Sequence, residues 1–161
     1  AADCIFGYTV LNDVSARDLQ TGHKQWYFGK SLDGFTPMAP YWYRDEIAYP
    51  PALEITSRVN GELRQKSNTA LLITSIGQIL EELTGGMTLL PGTIIATGTP
   101  AGVGMGFDPP RFLQSGDTVE CAIEASAPLQ HRDLIFSQGA SHLMDVMELL
   151  TSTLIQGLIY A

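Results

Sequence analysis

Asn60-Gly61 stands between Leu53-Glu54-Ile55-Thr56-Ser57-Arg58-Val59, which alternates with period two, and Glu62-Leu63-Arg64-Gln65. An Asn-Gly pair between alternating segments predicts a two-residue type I′ hairpin, because both turn positions need a positive φ. The middle of the chain is thereby committed to antiparallel sheet, and most other signals agree. Ile5 to Leu11 is β-rich and ends at Asn12-Asp13; Pro91-Gly92 precedes a strand over Thr93 to Ala96; Ser115-Gly116-Asp117 turns into the alternating segment Thr118 to Glu124. One helix is well signalled. Ser75 lies three residues before Gln78, as in a capping box, and Ile76, Ile79, Leu80 and Leu83 recur at helical spacing up to Gly85-Gly86.

Elsewhere the pattern is less regular. Val14 to Lys30 has mixed periodicity, broken by Gly22 and Gly29, and predicts a loop or short helical turn. Pro37, Pro40, Pro50 and Pro51 bracket Tyr41-Trp42-Tyr43, which predicts a long structured loop, since proline removes donors and restricts its neighbour. From Ser141 onward Leu143, Val146, Met147, Leu150 and Leu154 mark one helical face, with Leu158-Ile159-Tyr160 following; that face needs a partner, and a second subunit is the expected one. The fold class read from these signals is mixed α/β and β-dominated. The expected organisation is one domain over residues 1–129 and a divergent, helical tail over 130–161.

Composition narrows the function. With 161 residues and 45% hydrophobic content the chain has material for one cored domain. Nine basic residues against seventeen acidic ones give a net charge of −8, which repels phosphate backbones and argues against nucleic-acid binding. Apolar runs such as Leu89-Leu90 to Ile94-Ile95-Ala96 are broken by Pro91-Gly92, far short of the about 20 residues that span a bilayer, so no membrane partner is expected. Cys4 and Cys121 are far apart and fit neither a metal clip nor a disulfide framework; a reducing, cytoplasmic location is the expectation, or a mitochondrial one if a transit segment preceded Ala1. Ala1-Ala2-Asp3-Cys4 runs directly into a strand and reads as a chain starting in mid-fold.

Three clusters can carry chemistry. Asn12-Asp13-Val14-Ser15-Ala16-Arg17-Asp18-Leu19-Gln20 places two carboxylates, a guanidinium and an amide directly after a strand. Spacing leaves two readings open: a polar loop in which Arg17 pairs with Asp13 or Asp18, or a site in which Asp13 ligates a hard cation and Arg17 clamps a carboxylate. Phe28-Gly29-Lys30-Ser31 sets a lysine between glycine and apolar residues; it is not a phosphate loop, because Lys24 stands where that pattern needs its first glycine. Thr97-Gly98-Thr99-Pro100-Ala101-Gly102-Val103-Gly104 combines hydroxyls with glycines, as a tight turn or an anion nest would. His23, His131 and His142 are scattered, without ligand spacing.

Taken in order, these segments form a pattern. Gly7-Tyr8-Thr9-Val10 leading to Asn12-Asp13-Val14-Ser15-Ala16-Arg17-Asp18-Leu19-Gln20, Gly29-Lys30-Ser31 with Phe35-Thr36-Pro37-Met38-Ala39-Pro40, Val59-Asn60-Gly61, Asn68-Thr69, and Pro91-Gly92 through Ala96-Thr97-Gly98-Thr99-Pro100-Ala101-Gly102-Val103-Gly104 resemble the fumarylacetoacetate hydrolase family over roughly residues 5 to 124. The resemblance implies a mixed β-sandwich roll with few helices, a homodimer, and Mg2+ or Mn2+ bound with a small 2-oxo acid. It implies acylpyruvate C–C hydrolysis, decarboxylation or isomerisation of dienoates, or oxaloacetate tautomerisation, through a metal-stabilised enolate. Carried over, Asp13 is the metal ligand, Lys30 and Arg17 are catalytic, and Arg17, Gln20, Lys30 and Thr99 contact substrate. The family's upstream Glu-x-Glu ligands have no counterpart before Ala1, so the cation is expected to be weakly held or absent; the alternative expectation is an inactive paralogue that keeps the fold and dimerises. After Ile123-Glu124 the family pattern fades at Ala125-Ser126-Ala127-Pro128-Leu129.

Overall fold

Asn60 and Gly61 take positive φ angles of 50° and 81°, and the chain reverses there between β4 (Glu54–Val59) and β5 (Glu62–Asn68), with Val59 opposite Glu62. This is a computed structural model, and it describes residues 2–22, 24–124, 129–132, 150–151 and 154–160. The turn asparagine also ties the hairpin to the next strand: its Nδ2 donates to Asp117 at 2.8 Å, and its Oδ1 accepts from the Thr118 backbone N–H at 2.9 Å. Thr118 opens β7 (Thr118–Ile123), which pairs with the other edge of β4 and is followed outward by β8 (Leu129–Arg132), giving the order β5-β4-β7-β8. The alternation read from the sequence becomes a one-sided core. Ile55 and Val59 face inward beside Val119, Cys121 and Ile123, and the cluster takes in Val10, Ala16 and Leu113.

A second four-stranded sheet is built around β1 (Ile5–Asn12), which is buried at every position except Phe6. Such a strand needs hydrogen-bonding neighbours along both edges, because water cannot reach its backbone groups. One edge is met by β3 (Met38–Tyr43) and the other by β10 (Leu154–Tyr160), with β6 (Ile94–Ala96) beyond it, in the order β3-β1-β10-β6. A short bridge, β2 (Ser15–Ala16), pairs with β9 (Leu150–Thr151). β1 gives Val10 to the first core cluster and Ile5 and Tyr8 to a second, which α2 (Ile76–Gly86) closes with Ile76 and Leu80. The cap of that helix is the expected one: Gln78 N–H donates to Ser75 Oγ at 3.3 Å, and Ser75 N–H donates to Gln78 Oε1 at 3.0 Å. The architecture is β-rich with antiparallel sheets and few helices, as the resemblance implied.

Two expectations are corrected. Tyr41-Trp42-Tyr43 is strand, not loop. Its proline is accommodated because β3 is an edge strand and because Ala39-Pro40 falls in a bulge: Tyr41 pairs with Thr9 and Met38 with Leu11, so two residues oppose Val10 alone. Thr9 Oγ1 then donates to the Pro40 carbonyl at 3.0 Å. The predicted helical tail is corrected where it is described. Leu150 lies in β9, and Leu154, Leu158, Ile159 and Tyr160 lie in β10, paired from Asn12↔Leu154 to Ile5↔Tyr160. The demand of the buried β1 edge for backbone partners outweighs the helical spacing of those leucines. Residues 141–149, where the rest of that prediction falls, lie outside the described residues. Among the described residues no helix is long and apolar enough to cross a membrane.

Candidate active site

β1 stops where its backbone is taken up by other partners: the Asn12 N–H donates to the Pro37 carbonyl and the Val14 N–H to the Asn12 carbonyl, each at 3.0 Å. Asp13 stands at this corner. After β2 comes α1 (Arg17–Gly22), one and a half turns that place Arg17 and Gln20 on one face, three residues apart. Gln20 is buried at 3% exposure, and Arg17 Nη1 donates to its Oε1 at 2.7 Å, which fixes the guanidinium. A 3-10 turn over Phe28–Lys30 lies against this corner at Gly29, where a Cβ would sit 2.7 Å from both the Ala16 carbonyl oxygen and the Gln20 nitrogen. Only glycine allows that approach, and it sets Lys30 beside Asp13.

Lys30 Nζ forms a salt bridge with Asp13 Oδ2, the two side chains being 25% and 14% exposed. Burial pushes the Arg17 guanidinium below its ordinary pKa, while the nearby Asp13 carboxylate opposes the shift. Arginine remains charged across any working pH. Four of the five candidates therefore gather at one corner, where two cations flank one carboxylate in a partly desolvated setting.

Thr99 is held elsewhere. It lies in the loop following β6 and lines a cavity of about 760 Å³ with a largely apolar lining that includes Leu71, Leu72, Ile79 and Leu83. Its hydroxyl is hydrogen-bonded to Gln65 and, at 3.4 Å, to the Pro100 carbonyl, and not to the Asp13 corner. Further along, the same loop is fastened to β5 through Phe107, whose ring lies under the guanidiniums of Arg64 and Arg111 at 5.3 and 4.9 Å; both arginines pair with Glu62. Sequence reasoning singled out neither Gln65 nor this clamp. The available signal was a glutamine in an alternating strand, which spacing cannot tell from a surface residue.

Whether these residues suit a divalent cation can be tested on the donors. Asp13 offers a carboxylate, but Lys30 already neutralises it, and among the described residues there is no group of three or more His, Cys, Asp or Glu side chains that could hold a metal ion. The described residues alone do not form a Mg2+ site, which needs several oxygen donors in octahedral arrangement.

Comparison with known proteins places this geometry. The family model described as fumarylacetoacetate (FAA) hydrolase C-terminal matches residues 1–132. Oxaloacetate tautomerase YisK of Bacillus subtilis (strain 168) is 50% identical over 133 residues, covering 82% of this chain and 44% of the relative. Among solved structures, a fumarylacetoacetate hydrolase from psychrophilic Exiguobacterium antarcticum is 48% identical with a TM-score of 0.78, covering 81% of this chain and 47% of the other. The 2-hydroxyhepta-2,4-diene-1,7-dioate isomerase of Mycobacterium marinum is 45% identical with a TM-score of 0.71, covering 81% and 48%. The chain thus spans about half the length of these relatives. With the motif order, the β-rich fold and the matched residues 1–132 in agreement, the chain belongs to the fumarylacetoacetate hydrolase family.

Proposed function

We propose that this chain carries the substrate-binding corner of an enzyme acting on a small 2-oxo acid through an enolate, by acylpyruvate hydrolysis, decarboxylation, isomerisation or oxaloacetate tautomerisation. The observation that supports it is the pair of cations, Lys30 and Arg17, packed around Asp13 at the end of a buried strand. When a proton leaves the carbon beside a 2-oxo group, the electron pair moves onto the oxygen. Fixed positive charge at that oxygen, in a site partly shielded from water, lowers the barrier more than it stabilises the neutral ketone. Lys30 supplies a compact ammonium there. Arg17, steadied by Gln20, offers a fork that suits a carboxylate, and Thr99 adds a hydroxyl for the substrate's carboxylate.

Enzymes of this family generally use a divalent metal. In this chain Asp13 is the candidate ligand, and the proposal is that Mg2+ or Mn2+ binds it weakly, since a cation must displace Lys30 from the same oxygen. Homodimer assembly in the cytoplasm belongs to the same reading; Cys4 and Cys121 are both free thiols. The Asp13–Lys30 pairing also favours a second reading, a fold-retaining paralogue without turnover.

One assay series separates the two: oxaloacetate tautomerisation and acylpyruvate hydrolysis, each with and without Mg2+ or Mn2+. The first reading expects turnover that Lys30→Ala lowers by about a hundredfold or more, the scale of losing one preorganised charge-stabilising donor. Absence of turnover with either metal, in decarboxylation and dienoate isomerisation as well, supports the second.

A further inference from the structure

Gln65 lies on β5 with 1% of its surface exposed, deeper than any other residue of that strand. Its side-chain nitrogen donates to Thr99 Oγ1 at 2.8 Å and to the Pro100 carbonyl at 2.9 Å. The second bond settles which end of the amide faces the loop, because a carbonyl oxygen only accepts and the group opposite it must be the NH2. The other N–H therefore points at Thr99, whose hydroxyl accepts. A hydroxyl has a single hydrogen, and among the described residues its acceptor is the Pro100 carbonyl at 3.4 Å, beyond the roughly 2.5–3.0 Å of a normal O–H···O bond. With an acceptor role already filled by Gln65 and its proton loosely held, the Thr99 hydroxyl is set up to donate.

The backbone keeps this arrangement from drifting. Gly102 has φ +107°, and a Cβ there would sit 2.0 Å from the Arg64 carbonyl oxygen and 3.0 Å from Gln65 Cγ, so the loop lies directly on β5 at Arg64-Gln65. A carboxylate can only accept, and charged acceptors make the shorter, stronger hydrogen bonds. We propose that Gln65 is a positioning residue that presents Thr99 as a hydrogen-bond donor to the carboxylate of the substrate, an inference resting on the assignment of Thr99 to that carboxylate above.

The test is a double-mutant cycle read by equilibrium binding. Oxalate, a two-carboxylate stand-in for the 2-oxo acid end, is titrated into the whole chain by NMR in the presence of Mg2+, for the wild type, Thr99→Val, Gln65→Met and the double variant, with a thermal midpoint recorded for each. Losing one hydrogen bond to a charged group should weaken oxalate binding about tenfold in Thr99→Val and similarly in Gln65→Met. The double variant should bind no more weakly than Thr99→Val, although Gln65→Met lowers the thermal midpoint in both backgrounds. Gln65→Glu keeps the side-chain shape, turns the donor into an acceptor that captures the Thr99 proton, and should bind oxalate at least as weakly; it replaces Gln65→Met in the cycle if that variant does not fold. Equal weakening by the Gln65 change with and without Thr99, or wild-type affinity in the Gln65 variants, overturns the inference while leaving the 2-oxo acid reading in place. A wild type that does not bind oxalate overturns both.

Discussion

The two sheets reach the same antiparallel geometry by opposite routes. In β5-β4-β7 the neighbours follow a tight turn or an alternating pattern, one face is buried, and the other carries Glu54, Arg58, Lys66 and Glu120. In β3-β1-β10-β6 the central strand is buried almost throughout, and its partners come from residues 38–43 and 154–160. Four of the five candidate site residues gather at the end of this second kind of strand. A locally specified hairpin tolerates change, whereas a corner assembled from distant segments depends on close backbone contact.

Two glycines sharpen that contrast most. Gly29→Ala drives a Cβ into the backbone of Ala16 and Gln20, and should cost about 3 kcal/mol in chemical denaturation, at the upper end of overpacking effects. Gly61→Ala meets nothing within 4 Å and pays only for its φ of +81°, about 1 kcal/mol. Equal costs would erase the distinction between the regions.

Two lysine–carboxylate pairs give the next test. Lys30 pairs with a carboxylate only 14% exposed, so Lys30→Ala strands a partly desolvated charge and should cost about 2 kcal/mol. Lys66 pairs with Glu54 at 2.9 Å across the hairpin, with both side chains about half exposed, and Lys66→Ala should cost less than about 0.5 kcal/mol. Urea midpoints for the two variants decide it.

The smallest expected effect is in the response to alkali. Burial raises the Tyr8 hydroxyl above its ordinary value near 10, and the charge of Tyr49 adds to the shift. Ionisation is harder in the folded state, so the contribution is fully present below pH 10 and is lost as the pH rises past 10 toward the raised folded value. The thermal midpoint should therefore fall above pH 10, and Tyr8→Phe should flatten that fall. β4, β5 and β7 contain no tyrosine, so a hairpin-sheet variant that removes no titratable group, such as Thr56→Ala, should leave the slope unchanged.

What the sequence makes legible follows the same division. The Asn60-Gly61 turn, the Ser75 cap and the strand over Thr118–Ile123 are written in neighbouring residues, and each forms as read. Asp13, Arg17, Gln20 and Lys30 could be picked out because their order along the chain resembles a known family. Bringing Lys30 onto Asp13 depends on Gly29 meeting Ala16 and Gln20, a contact with no local signature. The strand at Met38–Tyr43 was hidden by Pro40, since the bulge that accommodates it exists only against Thr9 and Leu11. The strand at Leu154–Tyr160 was hidden because an apolar run suits either periodicity, and its partner β1 lies some 150 residues earlier. Gln65 was invisible for a related reason: its partner Thr99 is 34 residues away, and nothing in β5 distinguishes the one inward glutamine.

The clamp of Phe107 between Arg64 and Arg111, together with Gln65 on Thr99, ties the loop over 97–107 to β5 near both of its ends. Segments so attached open with the element that holds them. Amide hydrogens of the loop should exchange with solvent at the pace of the β4–β5 hairpin, while those of α1 and the 3-10 turn at Lys30 follow a separate clock. A ligand that bridges Thr99 and Lys30 would then join two cooperative units that fluctuate independently without it, and its binding would be visible as a merging of their exchange rates.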